Sequence, residues 1–352
     1  MSKIGKEKNN TKLAIVLFNL GGPDKLENIR PFLYNLFSDK WIIRVPYLVR
    51  KAIALFISYT RAPLAKKNYS LMGGYSPLLK ETENQKNLLK EYLHKRKIDN
   101  FEIFISMRYW HPFSYDVIKN IKEFMPDKII YLPLYPQCSS STTVSSFEDF
   151  DKQVENHLPD VDVRKIGCYF NDQDFIEAHL ELIKESLKNF LPNEKVKILF
   201  SAHSIPKKFV SQGDPYEWQI NMTCKAINQG LREYNLESIL CYQSKVGPIE
   251  WLAPSTEDVI EQCAKEGISM IVVPIAFVSE HIETLVELDI EYKLIAEKHG
   301  VKYVRVPALS ASPIFIKALA KYISACIISG DKKMAFTSEK CESKFINCIC
   351  RE

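Results

Sequence analysis

The chain of 352 residues has no run of apolar side chains long enough to cross a bilayer, which takes about 18 residues. Its longest clean apolar run, residues 270–278, has the length of a buried strand. The apolar segment at residues 13–20 ends in Gly21-Gly22-Pro23 and has no small-residue cleavage site, so it predicts a first strand and not a secretion signal. We therefore expect a cytoplasmic protein.

Several signatures of other protein classes are also missing. Lys and Arg total 47 against 43 Asp and Glu, and the net charge of +4 argues against a nucleic-acid binder, which needs a concentrated basic field. Neither G-x-G-x-x-G nor G-x-x-x-x-G-K-[ST] occurs, which disfavours dinucleotide and P-loop sites. No C-x-x-C pair supports a zinc finger, and nine cysteines, an odd number scattered through mostly apolar segments, indicate reduced thiols.

What the chain does contain is an alternation of short runs rich in Val, Ile, Leu and Phe with amphipathic segments. The apolar runs predict strands buried on both faces, as in parallel sheets of an α/β fold. The predicted strands are residues 13–20, 101–107, 128–135, 161–166, 196–202, 238–244, 269–277 and 302–306. Two sets of four strands predict two similar lobes, residues 1–166 and 167–328, followed by a polar, cysteine-containing extension at residues 329–352.

Residues 40–80 break this alternation. Apolar residues at 41–57, which we call the lip, are interleaved with Arg and Lys. A basic amphipathic segment of this kind is typical of a helix on a membrane surface or of the lining of an apolar cleft. A core helix with solvated cations is the alternative interpretation.

Side chains able to do chemistry follow the predicted strands at their carboxyl ends, where parallel α/β sheets bind ligands. His203 ends one apolar strand, and Glu283 follows another. Glu287 and Glu291 come after Glu283 at steps of four, so on a helix the three carboxylates share a face. A half-buried carboxylate row repels itself unless cations or protons occupy it, which suits the passage of a divalent metal or of protons. A structural histidine and a solvated acidic face are the alternatives.

Five segments, in order and at similar spacing, resemble the ferrochelatase family over about residues 13–323. They are FNLGGP at 18–23, LPLYPQ at 132–137, FSAHSIP at 200–206, QSKVGP at 243–248 and residues 274–292, which include SEHIETL. The resemblance implies two Rossmann-like lobes, each a four-stranded parallel sheet flanked by helices, with a cleft between them. It also implies a lyase that inserts Fe²⁺ into protoporphyrin IX, releases two protons and yields protohaem, the terminal step of haem biosynthesis.

The resemblance also assigns residues to the reaction. It implies that His203 and Glu283 are the catalytic and metal-handling pair, and we expect them to face each other across the macrocycle centre. It leaves open which of the two carries metal and which carries protons. Four further residues are expected to form a path for protons or metal: Glu280, His281, Glu287 and Glu291.

The porphyrin site is implied in the same way, and Arg suits the porphyrin propionates because its guanidinium pairs with carboxylates bidentately. The expected contacts are Leu20, Arg61, Tyr69, Ser76, Arg108, Ser141, Thr142 and Tyr242. Tyr242 stands where relatives often have Trp, and it keeps an aromatic face for stacking. The lip resembles the family segment that covers the cleft and touches the membrane. This resemblance predicts peripheral contact of the protein with the inner face of the membrane.

No cofactor is required beyond the substrate Fe²⁺, but some family members hold a [2Fe–2S] cluster on three cysteines of a C-terminal extension and one internal cysteine. The candidates in this chain are Cys138, Cys341, Cys348 and Cys350. Ser140 occupies the place of the relatives' internal cysteine, and the alternative is a tail with adventitious thiols.

Three rival functions share much of this pattern: a coproporphyrin III ferrochelatase, another tetrapyrrole metal chelatase, and a non-catalytic tetrapyrrole carrier. His203 together with the carboxylate row weighs against a carrier, and the lip and extension favour protoporphyrin. The expected partners are porphyrin and ferrous iron, with no nucleic acid, and both a monomer and a homodimer remain open.

Overall fold

A computed structural model describes residues 11–351. Residues 1–10 of the predicted first lobe and residue 352 of the predicted extension lie outside the described residues. The described chain folds into two parallel sheets flanked by helices, which confirms the predicted α/β class.

All eight expected strands are present, and a ninth follows them. The strands are β1 Leu13–Asn19, β2 Phe101–Met107, β3 Lys128–Pro133, β4 Asp162–Cys168, β5 Val196–His203, β6 Glu237–Gln243, β7 Ser269–Pro274, β8 Tyr303–Arg305 and β9 Lys333–Ala335. The helices are α1 Ile29–Phe37, α2 Tyr47–Ser70, α3 Leu78–Lys95, α4 Ser114–Phe124, α5 Ser145–His157, α6 Gln173–Leu187, α7 Lys207–Ser211, α8 Tyr216–Gly230, α9 Thr256–Lys265, α10 Lys293–Lys298 and α11 Pro313–Ile328. Two π-helical segments cover Ser140–Val144 and Glu283–Tyr292.

The first sheet has the order β2-β1-β3-β4-β9 and the second β6-β5-β7-β8. Four strands per sheet were expected, and this is wrong for the first sheet, because β9 from the predicted extension pairs in parallel with β4. Lys165 lies opposite Lys333 in that pairing. A three-residue edge strand in a polar segment carries too little apolar pattern to be recognised from sequence.

The two sheets share one apolar core. Leu17 and Leu132 of the first sheet belong to the same buried cluster as Phe200 and Val273 of the second. Helix α11 lies in this cluster too and packs against α3 and α6. The last helix and last strand therefore return to the first sheet, and the proposed division of the chain after residue 166 stays a prediction.

The lip continues into the long helix α2. One face of α2 is built from buried small residues, among them Ala54, Ser58 and Ala62, and the helix packs against α1. The other face exposes large apolar side chains, including Leu48 and Phe56. A helix buried on every side is therefore excluded. Among residues 11–351, every helix is too short or too polar to pass through a bilayer.

Candidate active site

Two side chains at the carboxyl edge of the second sheet are in direct contact. His203 is the last residue of β5, and Glu283 begins the π-helical segment that follows β7. The His203 Nδ1 atom lies 2.8 Å from Glu283 Oε2. The expectation that these groups face each other across a macrocycle is wrong, because no ring fits between atoms at hydrogen-bond distance. They approach any ligand in the cleft together, from one side.

The contact changes the acidity of both groups. Burial by itself lowers the pKa of His203, but the adjacent Glu283 carboxylate outweighs it, so the pKa of His203 is raised. Burial opposes ionisation of Glu283, yet the charge and hydrogen bond of His203 hold the pKa of Glu283 down to about 2. The imidazole ring is 39% exposed, so a ligand or solvent can still contact it. The pair can therefore hold a proton on the ring while the carboxylate stays charged.

Polar groups at the end of β6 hold the carboxylates. The Ser244 hydroxyl donates to Glu283 Oε2 at 3.3 Å and also to Glu287, and its backbone N–H donates to Glu287 Oε1 at 3.0 Å. Ser244 has a φ of +64°, a left-handed conformation uncommon for a non-glycine residue. The Gln243 amide donates to Glu287 at 2.9 Å. Gln243 and Ser244 were not among the predicted site residues, although a polar Gln-Ser pair at the end of an apolar strand was a usable signal.

The three carboxylates spaced by four residues form a row on the π-helical segment. Besides the Ser244 and Gln243 bonds, Glu287 accepts a hydrogen bond from the Tyr292 hydroxyl at 2.8 Å. Glu291 is exposed, and its carboxylate lies 3.5 Å from the Asn68 amide. Burial and the charge of Glu287 raise the pKa of Glu291. The row therefore runs from the His203 contact to solvent.

The other two predicted path residues, His281 and Glu280, have different surroundings. His281 is buried, its Nε2 atom lies 3.9 Å from Glu283 Oε2, and burial lowers its pKa, so this ring stays neutral beside the row. Glu280 instead pairs with Arg305 at 2.6 Å and accepts from the Ala308 backbone N–H at 2.9 Å. Both bonds reach Oε1, while the buried Oε2 atom has no hydrogen-bond partner among residues 11–351, and the expected place of Glu280 in the path stays a prediction.

Two of the predicted porphyrin contacts, Ser76 and Tyr69, lie beside Gly22, and Tyr69 is also close enough to Glu283 to feel its charge. Gly22 follows β1, and a Cβ atom there would lie 2.4 Å from Ser76 Oγ and 3.9 Å from the Tyr69 hydroxyl, so glycine is what allows the close approach. Leu20 is half-buried at the end of β1. Tyr69 packs against Ile282, and burial together with the charge of Glu283 raises the pKa of its hydroxyl.

The remaining predicted porphyrin contacts are placed differently. Arg108 pairs with Asp39 at 3.0 Å and Asp149 at 3.5 Å, and its expected contact with a propionate stays a prediction. Tyr242 is 2% exposed in the shared core, which leaves no ring face for stacking. Alternate residues of a strand point to opposite faces, and this residue points into the core. Arg61 is half-buried on α2, and Ser141 and Thr142 are half-buried in the first π-helical segment.

A second group of reactive side chains lies between the carboxyl end of the first sheet and the extension. The sulfur atoms of Cys168, Cys341 and Cys348 lie within 4.8 Å of one another, and all three residues are buried. Cys138 and Cys350 belong to the same packed cluster. A hydrogen bond to Cys348, together with burial, raises the pKa of the Cys138 thiol well above its usual value.

Cys168 was not among the expected ligands. It is the last residue of β4, so the rule that ligands bind at the carboxyl ends of strands would have found it. Gly167 makes room for the group, because a Cβ atom there would lie 2.3 Å from Cys350 Sγ. Close, buried thiols in this number match the donor set of an iron–sulfur cluster.

Comparison with known families and proteins identifies relatives over nearly the whole chain. The family model described as Ferrochelatase matches residues 12–326. A protein of Rickettsia felis named ferrochelatase is 49% identical over 343 residues, which cover 97% of this chain and 98% of the relative. The ferrochelatase of Pelagibacter ubique is 46% identical over 348 residues, with 96% and 98% covered.

Solved structures with the same fold are more distant in sequence. SirB from Bacillus subtilis with Fe³⁺ aligns with a TM-score of 0.54 at 12% identity, covering 90% of this chain and 96% of that one. The sirohydrochlorin chelatase SirB from B. subtilis subspecies spizizenii, in complex with cobalt, gives a TM-score of 0.53 at 10% identity, covering 90% and 95%. At this identity the likeness establishes the two-sheet fold alone.

Proposed function

The chain belongs to the ferrochelatase family, and we propose that His203 and Glu283 act as one unit in its metal insertion into porphyrin. The enzyme is a lyase that inserts Fe²⁺ into protoporphyrin IX and releases two protons, the terminal step of haem biosynthesis. The observation that carries the proposal is the 2.8 Å contact between His203 and Glu283 at the head of the carboxylate row.

His203 is the proposed base for the pyrrole N–H protons. With Nδ1–H donated to Glu283, the Nε2 atom keeps its lone pair for a proton from the macrocycle. The imidazolium that forms is stabilised by the adjacent carboxylate, as a general base requires. The imidazolium can pass its Nδ1 proton to Glu283, and Nε2 can accept the second pyrrole proton only after it has released the first.

The carboxylate row then carries the protons outward. The Ser244 hydroxyl contacts both Glu283 and Glu287, so it can accept a proton from one and donate to the other. Glu287 precedes exposed Glu291, whose raised pKa suits a group that exchanges protons with solvent. The neutral ring of His281 beside Glu283 offers a second acceptor in this part of the route.

Insertion of Zn²⁺ into a soluble porphyrin, followed by fluorescence, tests the role of His203. We expect His203→Ala to lose at least about 100-fold in rate, the usual contribution of a positioned base. His157→Ala, at the end of α5, is the matched control and should insert metal at the wild-type rate. Retained activity in His203→Ala would reject the assignment.

We also propose that the exposed apolar face of α2 contacts a membrane surface. Leu48 is 78% exposed and Phe56 is 68% exposed, a large apolar area for a protein in water. Lys51, together with the exposed Lys66 and Lys67 on the same helix, is suited to anionic headgroups. A membrane-facing lip would deliver a hydrophobic porphyrin directly to the cleft.

We further propose that the buried cysteine group holds a [2Fe–2S] cluster. Cys168, Cys341 and Cys348 are the proposed ligands, with the fourth supplied by Cys138 or Cys350. Such a cluster supplies one-electron redox chemistry and links the extension covalently to the first sheet. The support is the number, proximity and burial of the thiols.

Iron and sulfide analysis of anaerobically purified protein, with visible absorbance, tests the cluster. Cys168→Ala should abolish it, while Cys263→Ala, a buried cysteine on α9 outside the group, should leave it intact. Comparing Cys138→Ala with Cys350→Ala identifies the fourth ligand, since only one of them should lose the cluster. Full iron content in Cys168→Ala would rule out this ligand set.

A further inference from the structure

One buried amide side chain lies against the cysteine group. Gln219 is on the first turn of α8 and has no exposed surface. Its Oε1 atom is 2.6 Å from the backbone nitrogen of Cys138. Its Nε2 atom is 3.1 Å from Cys341 Sγ and 3.9 Å from Cys348 Sγ. The amide thus bridges the loop after β3 and the extension.

The orientation of this amide follows from its neighbours. A backbone N–H can only donate, so the side-chain oxygen must face Cys138 and the NH₂ group must face the sulfur atoms. Helix α8 is held in place there by Thr223, whose hydroxyl donates to the Phe170 carbonyl at 2.7 Å. Gln219 is therefore fixed as a donor toward the sulfurs, with little freedom to turn away.

An N–H donor at a ligand sulfur has a defined effect on an iron–sulfur centre. Hydrogen bonds to the sulfurs favour the more negative, reduced state and so raise the reduction potential. Burial strengthens the effect, because a hydrogen bond is electrostatically stronger in a low-dielectric interior than in water. Water cannot replace the amide at a site with no exposed surface.

We propose that Gln219 is a positioning residue that donates an N–H···S hydrogen bond to Cys341 and thereby raises the reduction potential of the cluster. The inference rests on the proposed cluster and adds a determinant of its redox behaviour. It concerns a residue of the second lobe, so the redox properties of a centre on the first sheet depend on a helix of the other sheet.

A nearby glutamine provides a matched control. Gln137 is also buried, but its Nε2 atom donates to the Thr223 hydroxyl at 3.1 Å and to the Ile275 carbonyl at 3.4 Å, not to sulfur. Replacing either glutamine by leucine removes one buried amide of the same size. Only the Gln219 change removes a donor from the cysteine group.

The experiment is a potentiometric titration of the reconstituted full-length protein, with the reduced cluster followed by electron paramagnetic resonance. Gln219→Leu should keep the iron and sulfide content of the wild type but titrate at a more negative midpoint potential. Gln137→Leu should titrate at the wild-type potential. Gln219→Glu keeps the acceptor for the Cys138 backbone N–H and loses the donor to sulfur, so its midpoint potential should also be more negative. This variant is titrated in place of Gln219→Leu if the leucine variant binds no cluster.

The outcomes separate the two proposals. An intact cluster with an unchanged potential in both Gln219 variants overturns the role of Gln219 and leaves the cluster standing. A cluster that assembles in neither Gln219 variant also counts against the inference, because tuning by a donor predicts an intact centre. A wild-type protein that assembles no cluster rejects the proposed cluster and the inference with it.

Discussion

At the scale of single residues, the site depends on one pair whose charges are mutually supporting. Glu283 raises the pKa of His203, while burial alone would lower it. Glu283→Gln removes the charge and keeps the shape, so the pKa of His203 should fall below its value in the wild type. As the pH is raised, the His203 ring should therefore lose its proton at a lower pH than it does in the wild type. Titration of the His203 ring by NMR measures this directly.

The control for this titration is the buried ring of His179, whose pKa is lowered to about 3 by burial and should be the same in both proteins. The same change should move the acidic limb of the pH–activity profile to lower pH, because the free base appears earlier. An unchanged His203 titration in Glu283→Gln would contradict the pairing.

Ser244 gives a second prediction at this scale, because it combines a strained backbone with a double contact. Ser244→Ala and Ser244→Gly both remove the hydroxyl between Glu283 and Glu287. Both should lower kcat by about tenfold with little change in KM, since the general acid–base route is interrupted and porphyrin binding is not. The glycine variant should be more stable than the alanine variant by roughly 1 kcal/mol, because glycine accepts the φ of +64°.

Steady-state kinetics and thermal unfolding of the two variants measure these effects side by side. Equal stability of the two would show that the left-handed backbone carries no cost. Wild-type kcat in both would remove Ser244 from the proposed proton route.

Individual residues also show how far the sequence could lead. His203 and Glu283 could be predicted, because they follow apolar strands at the ligand edge of a parallel sheet. Their mutual contact could not be predicted, since it depends on how the π-helical segment packs on β5 and β6. Tyr242 was misjudged for a similar reason: motif matching gives a position along the chain but not the side of a strand to which a side chain points.

At the scale of elements, α2 is the part of the fold with the most exposed apolar surface. If its outer face meets a membrane, Leu48→Ser with Phe56→Ser should weaken binding to vesicles of equal parts phosphatidylcholine and phosphatidylglycerol. The expected loss is about tenfold or more, because each side chain contributes on the order of 1.5–3 kcal/mol when fully buried in an apolar phase. Vesicle cosedimentation at several lipid concentrations measures it.

A matched double variant controls for the loss of exposed apolar area elsewhere. Met125→Ser with Leu191→Ser replaces two side chains that are 73% and 72% exposed but lie outside the lip. This protein should bind vesicles like the wild type. Equal binding by the two double variants and the wild type would argue that α2 is no lipid-contacting surface.

The elements themselves were largely predictable. The central strands carry continuous apolar runs, and all eight appeared within a few residues of the expected bounds. β9 was not predicted, because its pairing with β4 comes from backbone hydrogen bonds and from ion pairs such as Lys332 with Asp162. Information of that kind lies in the partner strand and not in the local sequence.

At the scale of the whole molecule, the extension ties together parts that are far apart in the chain. β9 pairs with β4, and the Asn347 backbone N–H donates at 3.2 Å to the carbonyl of Gly213, in the turn between α7 and α8. Arg44 of the lip reaches the same turn, with its guanidinium 2.5 Å from Gln212 Oε1. The cysteine-containing extension and the lip therefore meet at the turn between α7 and α8.

This arrangement predicts that the proposed cluster stabilises the entire fold. Ligands from β4 and from the extension would be cross-linked, which restricts the unfolded chain much as a disulfide does. Oxidative removal of the cluster should lower the unfolding temperature of the wild type by several degrees. Calorimetry of the protein before and after removal measures the shift.

Two variants decide whether the shift comes from the cross-link. Cys263→Ala retains all the proposed ligands and should lose as many degrees as the wild type when the cluster is removed. Cys168→Ala has no cluster to lose, so it should unfold near the temperature of the stripped wild type and show no further change on the same treatment. A stripped wild type that unfolds at its original temperature would mean that β9 and the Gly213 contact hold the extension without help from the thiolates.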